Sequence, residues 1–303
     1  MTETSTYHEP VLLKESIDGL NIDPTGIYVD VTFGGGGHSR EILKYLSKGK
    51  LIAFDKDKDS VSNSIVDERF TLVHHDFSYL KNFLKYLNVL SVNGILADLG
   101  VSSHQFDTAD RGFSYRWDAK LDMRMDQDSE NSAFHLLNES TEEDLHKYFG
   151  MFGEVKNAKT LARTIVESRK TKPIQTTSQL YAIIEKCTHR NDHLPKYAGM
   201  VFQALRIRVN NELESLNRFL KQSEDVLITG GRLVIITYHS LEDRLVKNFM
   251  KSGNVDGKME KDLYGNFNST LKLIHRKPVL PSGSELQHNK RARSAKLRIA
   301  EKI

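Results

Sequence analysis

Four consecutive glycines, Gly34 to Gly37, stand between an apolar run of strand length at residues 27–33 and an amphipathic stretch at residues 39–46. In that stretch Ile42, Leu43 and Leu46 share one side, as a helix requires. Strand, tight turn and helix form the opening of a βαβ unit, which commits the chain to parallel strands with helices on their faces. Without Cβ atoms the turn can fold sharply and press against a ligand. The helix start behind it favours a phosphate or a carboxylate. A glycine run alone is equally a flexible surface turn, so its context decides.

The alternation continues on both sides of a long interruption. Residues 51–54, 70–73 and 95–97 read as the next three strands, and residues 230–238, 270–274 and 295–300 as three more. Seven candidate strands predict an α/β fold, a doubly wound Rossmann-like sheet. The block between is helical: Ala158, Leu161, Ala162, Ile165 and Val166 form one apolar stripe. Ser178 is placed to cap a second helix, and a third, broken one runs over about residues 198–220. Pro173 and Pro195 fall between these helices. The expected organisation is a main domain of residues 1–109 and 213–303, with an inserted helical substrate-binding domain over 110–212.

Charge divides along the same lines. The 43 Lys and Arg against 40 Asp and Glu conceal two basic segments. Residues 155–208 hold eleven basic against three acidic side chains, and residues 269–303 hold nine against two. Residues 118–144 are acidic, nine to two. The pattern suits a polyanionic partner on one face, or simply solvated helix faces. A single cysteine, Cys187 on an apolar helix face, excludes a disulfide framework and a multi-cysteine metal site. No apolar run is long enough to span a bilayer, and the first ten residues carry no secretory signature, so the expectation is a cytoplasmic protein without membrane contact.

Carboxylates follow the candidate strands in turn. Asp55 ends the second, Asp76-Phe77 follows the third and Asp98-Leu99-Gly100 the fourth, where open α/β sheets bind ligands. A carboxylate at the tip of the second strand grips ribose hydroxyls in nucleotide sites, whether the cofactor is NAD or an adenosyl compound. No Gly-Lys-Ser/Thr follows the glycines, so the turn is no phosphate loop. Asp30, Asp55 and the acidic-aromatic step Asp76-Phe77 favour S-adenosyl-L-methionine over NAD, because this cofactor has no pyrophosphate and its positive sulfonium tolerates nearby carboxylates such as Asp30 and Asp98.

The sequence resembles a known family at many points. His8-Glu9-Pro10-Val11-Leu12, the turn from Asp30 to Ser39, and the run Asp98 to Gln105 all match it, as do Arg111-Gly112-Phe113-Ser114 and Leu121 to Asp126. So do Tyr238-His239-Ser240-Leu241-Glu242-Asp243-Arg244 and Arg291 to Arg298. Together these are similar, over nearly the whole chain, to the bacterial 16S rRNA (cytosine-N4) methyltransferase family (RsmH, also called MraW). The resemblance implies a class I S-adenosylmethionine-dependent methyltransferase acting on one cytidine at the decoding site of 16S rRNA in the small subunit. It implies cofactor contacts from Gly36, Gly37, His38, Asp55, Phe77, Asp98 and Gln105. Two departures are small: a fourth glycine in the turn, and Lys290 where proline often stands.

The chemistry asks for a group that holds a weakly nucleophilic amine and takes its proton. The Pro-Pro-aromatic motif of many amino-methyltransferases is absent from this chain, and Asp98-Leu99-Gly100-Val101-Ser102-Ser103 occupies its place. Asp98 and His239 are the expected catalytic residues, with a capping or packing role as the alternative for His239. No histidine has convincing metal-ligand spacing, so no catalytic metal is expected. Phe113, Tyr115 and Trp117 would either stack on an extruded base or pack the insertion. The basic residues of 158–170 and 290–298 would suit the RNA backbone. The expected partner is 16S rRNA, within the 30S subunit, with a homodimer left open. The rival readings are an RNA-binding ribosome-assembly factor without turnover, an amino-methyltransferase acting on DNA or a small molecule, and an NAD-dependent oxidoreductase.

Overall fold

The computed structural model describes residues 10–188, 193–258 and 269–303; His8 and Glu9 of the first matching motif lie outside them. The chain divides into two compact units, one holding the residues up to Gly100 and from Leu213 onward, the other Val101–Glu212.

The first unit is built on seven strands: β1 (Ile27–Asp30), β2 (Lys50–Asp55), β3 (Phe70–His74), β4 (Val92–Asp98), β5 (Leu227–Thr237), β6 (Leu271–Leu273) and β7 (Lys296–Lys302). Their order across the sheet is β3-β2-β1-β4-β5-β7-β6. The first five are parallel, while β7 runs antiparallel between β5 and β6. All seven strands expected from the sequence are present. The first is shorter than its apolar run, because beyond Asp30 the backbone divides its bonds: Val31 N–H donates to Leu96 of β4 and Phe33 N–H to Phe54 of β2. The terminal strand is no sheet edge, contrary to the solvated-edge alternative for the basic run.

Helices α1 (Leu13–Leu20), α2 (Gly37–Tyr45) and α3 (Leu80–Tyr86) precede the second unit. The second unit holds α4 (Ser103–Asp107), α5 (Ala133–Glu139), α6 (Glu142–Gly153), α7 (Ala158–Thr171), α8 (Thr177–Cys187) and α9 (Leu194–Asn210). Helices α10 (Glu212–Val226), α11 (Ser240–Ser252) and α12 (Gly283–His288) return the chain to the sheet. Alternate residues of the central strands feed opposite layers. Ile95, Ala97, Leu233 and Ile235 pack with α3, α10 and α11, whereas Leu96, Val234 and Ile236 pack with α1 and α2. Burial on both faces explains why β4 and β5 read as continuous apolar runs rather than as alternating ones.

The second unit has a core of its own, formed by Leu145 and Phe149 of α6, Leu161 and Ile165 of α7, Leu180 and Ile184 of α8 and Val201 and Leu205 of α9. Cys187 belongs to this core. Two helix starts differ from expectation. Thr176, not Ser178, caps α8, in a reciprocal box with Gln179. Pro195 lies inside the first turn of α9, where its missing N–H leaves no helical bond unmade. The break in the long helix is Asn211, in the left-handed conformation that Asn tolerates (φ 49°).

Candidate active site

The strand order reverses between β1 and β4, because β1 leads outward to β2 while β4 leads to β5 on the other side. Such a switch point opens a crevice at the carboxyl ends of the strands. Asp30 and Asp98 end the two strands that flank it. Asp30 is 1 % exposed. Its Oδ2 accepts from the Ser39 hydroxyl at 2.6 Å and its Oδ1 from the Thr32 N–H at 3.1 Å. The Thr32 hydroxyl oxygen accepts from the Asp98 N–H at 2.6 Å, tying the two strand ends together. Asp98 Oδ1 accepts from the Tyr238 hydroxyl at 2.7 Å, and its Oδ2 lies 3.9 Å from Nδ1 of His38.

Gly36 sits in the left-handed region (φ 76°) and starts α2; a Cβ there would run into the Phe33 ring. At Gly37 a Cβ would collide with the Pro10 ring. The glycines therefore serve close packing as well as turning. His38 is buried, and its Nε2–H donates to the Val11 carbonyl at 3.1 Å, which leaves Nδ1 as the atom facing Asp98. The segment bearing Pro10 and Val11 thus orients the histidine.

Asp55 ends β2 with one backbone N–H on each oxygen, from Gly34 at 2.7 Å and from Asp57 at 2.8 Å. Each oxygen keeps a lone pair for a further donor. Asp57 caps the turn that follows, its side chain accepting from Asp59 N–H at 3.1 Å. Asp76 caps the next turn, and the Phe77 ring meets Phe219 of α10 edge-on at 5.4 Å between centroids. Gln105 belongs to the second unit, where it closes a capping box with Ser102 at the start of α4.

His239 is the N-cap of α11, the capping alternative given for it above. Its Nδ1 accepts from the Glu242 N–H at 3.4 Å. With Nδ1 accepting, the neutral ring carries its proton on Nε2, as a donor. Nε2 lies 3.0 Å from Glu242 Oε1 without hydrogen-bond alignment and has no hydrogen-bond partner among the described residues. Glu242, only 2 % exposed, reaches back to accept from the Tyr238 N–H at 3.1 Å. Tyr238 and Glu242 are thus part of the cluster, and sequence reasoning passes over both. The signal is register: Asp98 pairs with Ile236 on β5, so a polar residue two places on arrives beside it.

Burial dominates the electrostatics. It raises the carboxyl groups of Asp30, Asp55 and Asp98 above the ordinary range, the latter two to about 6. Asp98 is pushed further by Asp30 and Glu242, against the opposing influence of His38 and of the Tyr238 hydrogen bond. Desolvated carboxylates in one corner form a site that gains from a cation, so the donor set fits a sulfonium. The free end of α2 fits a carboxylate, and Asp55 fits vicinal hydroxyls.

The MraW methylase family matches residues 5–303. This chain belongs to the MraW methylase family. It is 53 % identical over 309 residues to the ribosomal RNA small subunit methyltransferase H of Flavobacterium johnsoniae, covering 100 % of both chains. It is 55 % identical to the Cytophaga hutchinsonii protein of the same name, covering 98 % of this chain and 99 % of that one. Christiangramia forsetii has another so named, 54 % identical, with 98 % of each chain covered. MraW methylases are S-adenosylmethionine-dependent methyltransferases.

A pH-dependence of stability follows from the raised carboxyls. A carboxyl that titrates near 6 in the fold and near 3.8 when unfolded binds more protons folded than unfolded between those values. Stability is therefore highest below pH 4 for this group and falls as pH rises to about 6. Asp98→Asn should leave stability unchanged at pH 4 and raise it at pH 8. The gain is at most about 3 kcal/mol, and less after solvent screening, since part of the side chain reaches water. Urea denaturation of the ligand-free protein at both pH values checks this, and a variant less stable than wild type at pH 8 would contradict it.

Proposed function

We propose that the chain transfers a methyl group from S-adenosylmethionine to the exocyclic N4 of a cytidine at the decoding site of small-subunit ribosomal RNA. The single observation that carries this reading is full-length identity above 50 % to proteins named as small-subunit rRNA methyltransferases. The carboxylate corner at the switch point supports it chemically. Gly36, Gly37 and His38 at the turn, with Asp55, Phe77 and Asp98, would hold the cofactor, which would supply an electrophilic methyl group on a positively charged sulfur. Asp98 ends β4 with Oδ1 taken by Tyr238 and Oδ2 3.9 Å from Nδ1 of His38, and Oδ2 receives the hydrogen bond of the target amine.

The electron balance is simple. The amine nitrogen gives its lone pair to the methyl carbon as the carbon–sulfur bond breaks, and the nitrogen then loses one proton. A carboxyl that titrates near 6 is mostly ionised at neutral pH and is a competent acceptor for that proton. His239 contributes differently: with Nδ1 capping α11 it presents a donor, and its part in the reaction is to hold Glu242 and the start of α11.

The second unit is the substrate-binding element in this proposal. Among its basic side chains, Lys159 and Arg163 of α7 are exposed and line one shallow pocket with Thr160, Thr164 and Glu167. Arg169 of the same helix is committed internally, donating to the carbonyls of Leu137 and Ser140 at 2.5 and 2.6 Å. The C-terminal basic run is also partly withdrawn. Arg298 is 7 % exposed and donates to Asp243 at 2.6 Å, while Lys296 pairs with the same carboxylate at 3.4 Å. Of the basic side chains in that run only Lys290 and Arg293 are exposed, so the proposed RNA contact of the run narrows to these two. Tyr115 packs against Tyr181 and Phe202, and Phe113 is buried, which leaves the exposed Trp117 as the ring available to a base. The substrate is small-subunit rRNA, free or within the 30S subunit, and the compartment the cytoplasm. No described helix is long and apolar enough to cross a membrane.

Incubation with tritiated S-adenosylmethionine and undermethylated 30S subunits, free 16S rRNA or duplex DNA, followed by nucleoside analysis, tests the reading. Label in N4-methylcytidine from 30S subunits or free 16S rRNA is expected; label only in DNA, or none with cofactor bound, would overturn it. Replacing Lys159 and Arg163 together by alanine should weaken RNA binding and flatten its salt dependence by about 0.7 per lost phosphate contact. Unchanged affinity from 50 to 200 mM salt would remove α7 from the interface.

A further inference from the structure

Tyr238 follows the last residue of β5, and two independent constraints hold it against Asp98. Its backbone N–H is fixed by Glu242 Oε2 at 3.1 Å, and its ring lies over Gly100. Gly100 has φ 103°, a conformation that favours glycine, and a Cβ there would meet the Tyr238 ring at ordinary contact distance, 3.4 Å. The hydroxyl then donates to Asp98 Oδ1 at 2.7 Å. A phenol is an unusual partner to bury beside a carboxylate cluster unless its donor is wanted there.

We propose that Tyr238 is a positioning residue for methyl transfer: by occupying Oδ1 of Asp98 it fixes the carboxylate plane and reserves Oδ2 for the amine of the base. The inference rests on the methyltransfer reading above. A hydrogen bond to one carboxylate oxygen removes the rotational freedom that would let either oxygen turn away, and it favours the ionised form. Asp98 is faced by His38 from α2, Asp30 from β1 and Glu242 from α11, and Tyr238 is itself faced by Glu242 and by Glu285 of α12. Two of the three groups other than Tyr238 that face Asp98 are acidic and oppose its ionisation; Tyr238 and His38 act in the opposite sense.

Tyr238→Phe removes the donor and keeps the ring. The first readout is the carboxyl carbon-13 titration of Asp98 in the ligand-free protein, assigned by its loss in Asp98→Asn. Its midpoint should rise in Tyr238→Phe by about one pH unit. The second readout is methyl transfer to 30S subunits as a function of pH. The kcat/KM for the cofactor, which reports the ligand-free enzyme, should be about tenfold lower in the variant at pH 6.5, the ratio narrowing to within about threefold at pH 9. In an Asp98→Asn background, Tyr238→Phe should cause no further loss of kcat. An unmoved carbon-13 midpoint, or a kcat/KM loss equal at every pH, would overturn the proposal, the latter being what a purely structural tyrosine gives. A midpoint shifted in Tyr238→Phe, with a wild-type protein that methylates no RNA, would support the Tyr238–Asp98 coupling and overturn the rRNA reading.

Discussion

Asp30 and Asp98 end neighbouring parallel strands, so the sheet itself forces two carboxylates into one desolvated corner. The surrounding polar architecture follows from making that corner tenable. Ser39 and Thr32 donate to Asp30, Thr32 in turn accepts from the Asp98 backbone, and Tyr238 donates to the Asp98 side chain. These hydrogen bonds lessen the cost of burial without cancelling it, which is why both carboxyls titrate above the ordinary range. A pocket left in that condition has free energy to gain from a bound positive charge, and a sulfonium cofactor brings one.

The same economy extends outward from the corner. The Val11 carbonyl fixes the His38 ring, the glycines admit Pro10 against the start of α2, and Glu242 with His239 reciprocally cap the start of α11 beneath Tyr238. Elements distant in sequence, β1, α2 and α11, thus bring Asp30, His38 and Glu242 to face Asp98. The second unit carries a separate core and a different kind of surface, with Lys159 and Arg163 outward on α7 and the apolar stripe of the same helix inward. That separation suits a division of labour in which one unit does the chemistry and the other recognises a polyanion.

Much of the fold was legible in the sequence because its signals are periodic. Seven strands showed as apolar runs, and α7 as a stripe at helical spacing. The glycine turn and the carboxylates at the strand tips were legible because open α/β sheets place ligands there. What escaped was set by register and by competition between partners. Tyr238 meets Asp98 only because β5 pairs with β4 in one register. Arg298 looks like part of a basic surface until β7 is seen to lie inside the sheet, where the side chain turns to Asp243 of α11. Thr176 rather than Ser178 caps α8, since a cap depends on local dihedrals that a shift of two residues changes.

If the carboxylate corner exists to hold a cation, binding one must lower the proton affinity of its members. Calorimetry of S-adenosylmethionine binding near pH 6, in buffers of different ionisation enthalpy, reads that directly as the number of protons exchanged. The account predicts net proton release on binding the sulfonium, a smaller release with the uncharged S-adenosylhomocysteine, and a reduced difference between the two in Asp98→Asn. Equal proton exchange for both ligands, or net uptake with S-adenosylmethionine, would contradict it.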